Sequence, residues 1–430
     1  MKLALPTSVS CIKRKDKVIF FNTDIPSWVV TDENGSKILS LCNGSLTKGE
    51  IIALFEKHFN KDTSIKVARF LDYCIQSKLF DVASPREVPV LRNKGGLSIV
   101  QLSISAKCNL NCRYCYATDR VESKHPKMQL KDYKRVIDEI HDISSAIKFS
   151  LTGGEPLLNK DCIEIARYIK TKGHYVDILT NATLINETIV DQIKTVFDKV
   201  TISVDGSYKE LHESFRGPNT YERTLNNIDL LLQKGVNTSL SMTVNRLNIH
   251  DVSSMAQKYG SLLSFAPLFP AGNAIKSETD ISITGKEYYD ALFNAEGVNP
   301  LSYCESSLDN SQICRNCKCA VGDSELSISS TGDVYPCQLL HYPEFYIGNI
   351  YESSIHELYF KSPVVEKCRH MTVDNINGCS TCFLKYVCGG ACRARAYHEC
   401  KDIYQSGTFC EYEKEAFIDG LINIYSSNIF

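Results

Sequence analysis

The stretch Ala106–Tyr116, AKCNLNCRYCY, constrains this chain more than any other. Cys108, Cys112 and Cys115 stand in it at C-x3-C-x2-C spacing. Three thiolates on one short loop can wrap a single metal centre. A [4Fe–4S] cluster ordinarily takes four cysteines, so a loop that supplies three leaves one iron open to another ligand. A zinc knuckle is the rival reading of the three residues taken alone. From Leu97 onward, strand and helix patterns alternate around this loop, which predicts a parallel α/β architecture.

Ser98–Ser105 is an apolar strand that leads straight into the cysteine loop. Tyr133, Val136, Ile137, Ile140 and Ile143 make one helical face. Ile147, Phe149 and Leu151 mark the next strand, which ends in Gly153-Gly154-Glu155-Pro156. Two glycines let backbone approach a ligand closely, and a carboxylate can bind an ammonium group. Tyr175–Leu179 ends in Thr180-Asn181, and Lys199–Val204 runs into Asp205-Gly206. Thr238–Val244 ends in Asn245, and Ser264–Phe269 ends in Pro270-Ala271-Gly272. These are six strands, each with polar or glycine-rich residues at its C-terminal end. Barrel active sites are built from such ends. Six units make a partial barrel, open on one side, where a long substrate can enter.

The first ninety residues read differently. Short strands are expected around Val9 and Cys11, Val18 and Phe20, and Trp28 and Val30, with a turn at Arg14–Asp16. A further apolar run, Ile38–Leu41, ends at Asn43-Gly44. Thr47 and Glu50 form a T-x-x-E capping box for a helix bearing Ile51, Leu54, Phe55 and Phe59. A second helix bears Ala68, Leu71, Ile75 and Leu79. The sum is a small winged-helix-like module, followed by a linker at Pro85–Gly96. A DNA-binding winged helix is the alternative, but the segment has no dense Lys/Arg face.

The apolar stretch at residues 3–5 is shorter than a signal peptide needs, so a non-oxidising setting is expected, where nineteen cysteines are many and clustered ones point to metal. Eleven of them lie from Cys314 to Cys410. Cys319 precedes the TGDVYPC stretch that ends in Cys337, and Cys379, Cys382, Cys388 and Cys392 follow at x2, x5 and x3 spacings before Cys410. Zinc ribbons would show two C-x2-C hooks; here one hook carries longer spacings. Single cysteines such as Cys11, Cys42, Cys74 and Cys162 sit in apolar patterns and read as core residues. A net charge of −2 argues against nucleic acid or an anionic membrane as the main partner. No apolar run approaches the roughly 20 residues of a membrane span. A cytoplasmic location is expected.

The C-x3-C-x2-C loop followed one βα unit later by GGEP resembles the radical S-adenosylmethionine (radical SAM) family. That resemblance implies a partial (β/α)6 barrel in which the open iron binds SAM. It implies that the stretch Gly153, Gly154 and Glu155 meets the amino group of the methionine moiety. Ser203–Ile228, SVDGSYKELHESFRGPNTYERTLNNI, is similar to a signature of the peptide-modifying branch. By that similarity Ser203 and Arg216 hold the SAM carboxylate, Asn181 reaches the methionine or ribose part, and Tyr114 packs near the adenine, chiefly through its backbone. A surface salt bridge is the plain alternative for Arg216.

The C-terminal pattern resembles the SPASM domain, which carries two auxiliary [4Fe–4S] clusters. The implied ligands are Cys379, Cys382, Cys388 and Cys410 for one, and Cys319, Cys337 and Cys392 for the other. Cys314 fits as a fourth ligand of the latter, with Cys317 or a substrate thiol as alternatives. Cys304, Cys317, Cys368 and Cys400 have no assigned role. The N-terminal module resembles the PqqD-like recognition element that binds the leader of a ribosomal precursor peptide.

The resulting expectation has three domains: residues 1–90 for leader recognition, 91–300 for the barrel and 301–430 for SPASM. It has three [4Fe–4S] clusters, SAM, a precursor peptide with a leader, and a reductant such as flavodoxin or ferredoxin. The expected reaction resembles that of the thioether-forming sactipeptide and ranthipeptide maturases. Alternatives are a carbon–carbon or carbon–oxygen crosslink, epimerisation, sulfatase-type formylglycine formation, and a non-catalytic cluster-binding protein. No catalytic acid or base stands out.

Overall fold

The structure, a computed structural model, describes residues 2–82, 96–119, 123–277, 280–298 and 315–425. Cys304, Cys314 and most of the Pro85–Gly96 linker lie outside the described residues. The six expected barrel strands form Ile99–Ser105, Lys148–Gly153, Tyr175–Thr180, Lys199–Ser203, Thr238–Val244 and Leu263–Pro267. They are parallel neighbours in chain order across one sheet. Parallel strands carry helices on the outer face. Leu130–Ile143, for example, buries Tyr133, Val136, Ile137 and Ile140, and its first turn is fixed by the Asp132 carboxylate accepting from the Gln129 N–H at 2.8 Å.

The sheet does not close. Leu263–Pro267 is an edge strand, whereas Ile99–Ser105 pairs on its far side with Glu325–Ile328, again in parallel. An antiparallel extension, Asp333–Tyr335 then Gly348–Asn349, continues from there. The cysteine-rich region therefore grows out of the barrel sheet itself. Gly332 makes the turn before Asp333 at φ +82°, a left-handed conformation that disfavours a side chain. A Cβ there would also lie 2.4 Å from Ile350.

The N-terminal module is a three-stranded antiparallel sheet, Val9–Arg14, Lys17–Asn22 and Ser27–Thr31, with helices Glu33–Ser40, Lys48–His58 and Lys61–Gln76. The expected capping box is present: the Glu50 N–H donates to Thr47 Oγ1 at 3.3 Å and the Thr47 N–H to Glu50 Oε2 at 2.7 Å. The run Ile38–Leu41 falls in and just after the helix Glu33–Ser40, and Asn43-Gly44 opens a strand, Asn43–Thr47, that pairs with Lys2–Ala4. Asp32 decides this, because its carboxylate accepts from the Asn34 and Gly35 N–H groups at 2.8 and 2.9 Å and caps the helix. Cys42, Cys74 and Cys162 are buried, but Cys11 is exposed, since it lies on the edge strand Val9–Arg14.

The sheet of this module is apolar on both faces, which is why Lys17–Asn22 reads VIFF without alternation. Val18, Phe20 and Val29 pack with Leu39, Ile51, Phe70 and Leu71. Ile19, Phe21, Trp28 and Val30 join the core of the rest of the chain. Phe21 stacks on Trp28 at 5.9 Å and meets Phe383 edge-on at 5.7 Å. Arg14 pairs with Glu415 at 2.5 Å and Asp419 at 3.0 Å on the helix Cys410–Tyr425. No helix among the described residues is long and apolar enough to cross a membrane.

Phe21 is 1% exposed and serves the contact between the module and the cysteine-rich region. Phe21→Ala is expected to cost about 3–5 kcal/mol in chemical denaturation. A loss under about 1 kcal/mol would show that the packing is loose.

Candidate functional site

The cysteine loop, residues 106–115, has no regular hydrogen-bond ladder of its own, so the strand ends around it must satisfy its backbone. The first barrel strand shifts register between Ser103 and Ser105, which sets Ser105 opposite Gly153. The Gly154 N–H then donates to the Ser105 carbonyl at 2.7 Å and the Glu155 N–H to the Lys107 carbonyl at 2.9 Å. A Cβ on Gly153 would stand 2.2 Å from the Ser105 carbonyl, and one on Gly154 2.3 Å from the Lys107 carbonyl. The two glycines thus serve close approach to the cysteine loop. From the other side, the Asn273 N–H and Nδ2 donate to the carbonyls of Cys115 and Cys112, both at 3.0 Å. The Arg113 N–H donates to the Phe215 carbonyl at 2.9 Å.

Glu155 keeps its carboxylate buried and hydrogen-bonded within the protein. It is 1% exposed, and its carboxylate accepts from Thr180 Oγ1 at 2.7 Å, the Asn181 N–H at 2.9 Å and the Leu157 N–H at 3.1 Å. Burial pushes its carboxyl above the usual range, while these donors pull it back. Asn181, placed by Glu155, lies against the loop: its Nδ2 is 3.0 Å from Asn109 Oδ1 and 3.9 Å from Cys108 Sγ.

On the opposite side sits a network that the motifs did not single out. Asp205, at 0% exposure, accepts from the Thr243 N–H at 2.9 Å with Oδ1, and from both the Tyr114 hydroxyl and Arg216 Nε with Oδ2. Arg216 Nη2 donates to the Tyr114 hydroxyl at 2.7 Å, and Nη1 lies 4.0 Å from Cys112 Sγ. The Tyr114 hydroxyl is thus part of a buried network, and Arg216 is a buried, paired cation rather than a surface one. Ser203 is half-buried, ends the fourth strand and pairs with Ser241 across the ladder. In the sequence Asp205 stands at a strand's C-terminal end and inside the Ser203–Ile228 stretch, but neither place names its partners.

Burial holds the Cys108 and Cys112 thiols above their usual range. Burial pushes Cys112 up to about 11, Cys108 and Cys115 add to this, and Arg216 opposes it. Thiolate ligation by a cationic centre reverses such a preference. Three soft donors on one short loop, beside the Arg216 guanidinium, suit a cluster with one open corner by their chemistry.

In the C-terminal region Cys379, Cys382, Cys388 and Cys410 line a single cavity with Gly390, Arg393 and Phe417. Four thiols around one space fit an iron–sulfur cluster. Cys319 and Cys392 stand close to Cys337, whose thiol is pushed well up by burial, then by Glu325, then by these two. Cys368, buried in the helix Pro363–His370, packs on Gly322. Cys317 is half-buried and Cys400 exposed. The Tyr116 hydroxyl donates to Gln338 Oε1 at 3.4 Å, which links the residue after Cys115 to the residue after Cys337.

Two outcomes follow. Gly154→Ala drives a methyl into the Lys107 carbonyl, so anaerobically reconstituted protein is expected to lose about four irons per chain; wild-type iron content would show that the glycine does not hold the loop. His212 is fully buried and accepts from the Asp205 N–H with Nδ1 at 3.3 Å. Burial, then the Arg216 cation, hold its pKa down to about 4. The unfolded chain takes up this proton first as pH falls below about 6.5, so the stability due to neutral His212 is full above that pH. Some 3 kcal/mol is lost as pH falls toward 4. The denaturation free energy of wild type minus that of His212→Asn should shrink over this window; a flat difference contradicts the assignment.

Comparison with known proteins agrees with this geometry. Residues 102–258 match the radical SAM superfamily and residues 319–383 an iron–sulfur cluster-binding domain, SPASM. The AdoMet-dependent heme synthase of Methanosarcina barkeri is 27% identical over 343 residues, covering 73% of this chain and 96% of its own. The subtilosin biosynthesis protein AlbA of Bacillus subtilis is 26% identical over 337 residues, covering 75% and 72%. Among solved structures, anSMEcpe with bound AdoMet superposes with a TM-score of 0.62 at 21% identity over 77% of this chain and 96% of that one. SuiB of Streptococcus suis bound to the precursor peptide SuiA gives 0.57 at 15% identity over 95% and 99%. The chain belongs to the radical SAM superfamily and is an enzyme of its SPASM type.

Proposed function

We propose that this enzyme modifies a ribosomally made precursor peptide, held by its leader at residues 1–90, and closes intramolecular thioethers from its cysteines. The N-terminal sheet carries the reading. Its Ser27–Thr31 edge is buried at every residue, but Val9–Arg14 is a half-exposed edge strand. An extended peptide can add to such an edge through main-chain hydrogen bonds. The module packs directly on the cysteine-rich region, so a leader bound there raises the local concentration of the attached core peptide near the barrel. The likeness to SuiB spans 95% of the chain and so takes in this module, and that protein was solved with a precursor peptide. AlbA, by its name, belongs to bacteriocin biosynthesis. Formylglycine formation, or the heme synthesis named for the Methanosarcina relative, leaves the N-terminal module without a role.

In this reading Cys108, Cys112 and Cys115 hold the SAM cluster. Ser203 and Arg216 hold the SAM carboxylate, Asn181 and Tyr114 its remaining parts, and the backbone of Gly153-Gly154 its amino group. Glu155 sets Asn181 in place. Cys379, Cys382, Cys388 and Cys410 hold one auxiliary cluster, and Cys319, Cys337 and Cys392, with Cys314, the other. The cluster and SAM, held by these residues, would supply radical hydrogen-abstraction chemistry toward the peptide. The protein positions the reacting carbon and excludes side reactions. A flavodoxin or ferredoxin supplies electrons, and the setting is cytoplasmic.

The test uses a cysteine-containing peptide encoded by a short reading frame beside the gene, incubated anaerobically with enzyme, SAM and reductant. Mass analysis should show loss of two hydrogens and of one alkylatable thiol per bond. Removing the leader should lower kcat/KM by roughly 100-fold. A product that keeps every free thiol, or modification of a peptide with all cysteines changed to Ser, overturns the thioether. An unchanged rate without the leader overturns the tether.

A further inference from the structure

We infer that Asp205 is the positioning residue of the cofactor pocket: it fixes the Arg216 guanidinium and the Tyr114 ring as one unit facing the cysteine loop. Its carboxylate lies at the C-terminal end of the fourth barrel strand and is fully buried. It receives donors from three separate elements: the Thr243 N–H of the fifth strand, the Tyr114 hydroxyl of the cysteine loop, and Arg216 Nε at the end of the helix Lys209–Arg216. Its own carbonyl accepts from Asn248 Nδ2 at 3.2 Å and its N–H donates to His212, so the backbone is held as firmly as the side chain.

The consequence lies in the remaining donors of Arg216. Nε is taken by Asp205, and Nη2 donates to Tyr114 at 2.7 Å. Nη1 is left as the leading edge, 4.0 Å from Cys112 Sγ. A guanidinium is planar, so fixing two of its nitrogens fixes where the third points. An anionic group arriving beside the cysteines meets a donor whose direction is already set, and the ordering cost falls outside the binding step. Asp205 also neutralises a cation that would otherwise be buried unpaired. It touches no ligand itself; it acts through Arg216 and Tyr114.

This inference rests on the reading that Arg216 meets the SAM carboxylate, and the experiment separates the two. Full-length variants are reconstituted anaerobically, iron per chain is measured, and SAM is titrated by the change it causes in the electron paramagnetic resonance spectrum of the reduced enzyme. Asp205→Asn keeps the shape of the residue but not its charge. It is expected to retain wild-type iron and to bind SAM about 10-fold or more weakly, with Asp205→Glu recovering part of the loss. Tyr114→Phe, which leaves the ion pair intact, should weaken SAM less than Asp205→Asn. Wild-type affinity in an iron-replete Asp205→Asn enzyme overturns the inference. Where Asp205→Asn loses iron, Tyr114→Phe decides, and an unchanged affinity there overturns it. Wild-type affinity in Arg216→Lys overturns the underlying reading of Arg216. Weakened Arg216→Lys beside an unaffected Asp205→Asn overturns the positioning role alone.

Discussion

The structure depends on how an irregular, cysteine-bearing loop is kept in one place. Ala106–Cys115 satisfies only part of its own backbone, so other strand ends meet it: Glu155 from the second, the Phe215 carbonyl after the fourth, Asn273 after the sixth. A 2.7 Å bond from Gly154 to Ser105 holds the strand end that enters the loop, and the close approach there leaves no room for side chains at Gly153 and Gly154. Asp205 acts in the same way on the loop's side chains, by tying Tyr114 to Arg216. A parallel sheet suits this task because its strands all end on the same side.

The same economy joins the domains. Glu325–Ile328 extends the barrel sheet beyond its first strand, so the cysteine-rich region cannot shift without disturbing the strand that leads into the loop. The N-terminal sheet buries Phe21 against Phe383, which lies between Cys382 and Cys388, and ties Arg14 to the helix that begins at Cys410. The peptide-binding module proposed here therefore rests on the shell of a cysteine set.

Much of this was legible in the sequence, for identifiable reasons. The six barrel strands are apolar runs ending in polar or glycine residues, and buried parallel strands leave that pattern whatever their neighbours are. The Thr47–Glu50 box worked because it is purely local. Ile38–Leu41 left its element open because three apolar residues in four suit either a strand or a helix, and the cap at Asp32 decides between them. Glu155 resembled a ligand by its motif, yet which way a carboxylate points depends on donors such as Thr180 that only the fold supplies. Asp205 was hidden for the same reason, since its three partners come from positions 114, 216 and 243. Cys11 shares its apolar surroundings with buried cysteines, and only the sheet order makes it an edge residue.

The most direct measurement is iron and 5′-deoxyadenosine on the same anaerobic samples, wild type against a variant with Cys108, Cys112 and Cys115 all changed to Ala. The account predicts about twelve irons per chain in the wild type. In the variant it predicts loss of about a third of that iron and of all SAM cleavage. Roughly four irons in the intact protein, or SAM cleavage by the triple variant, would contradict it.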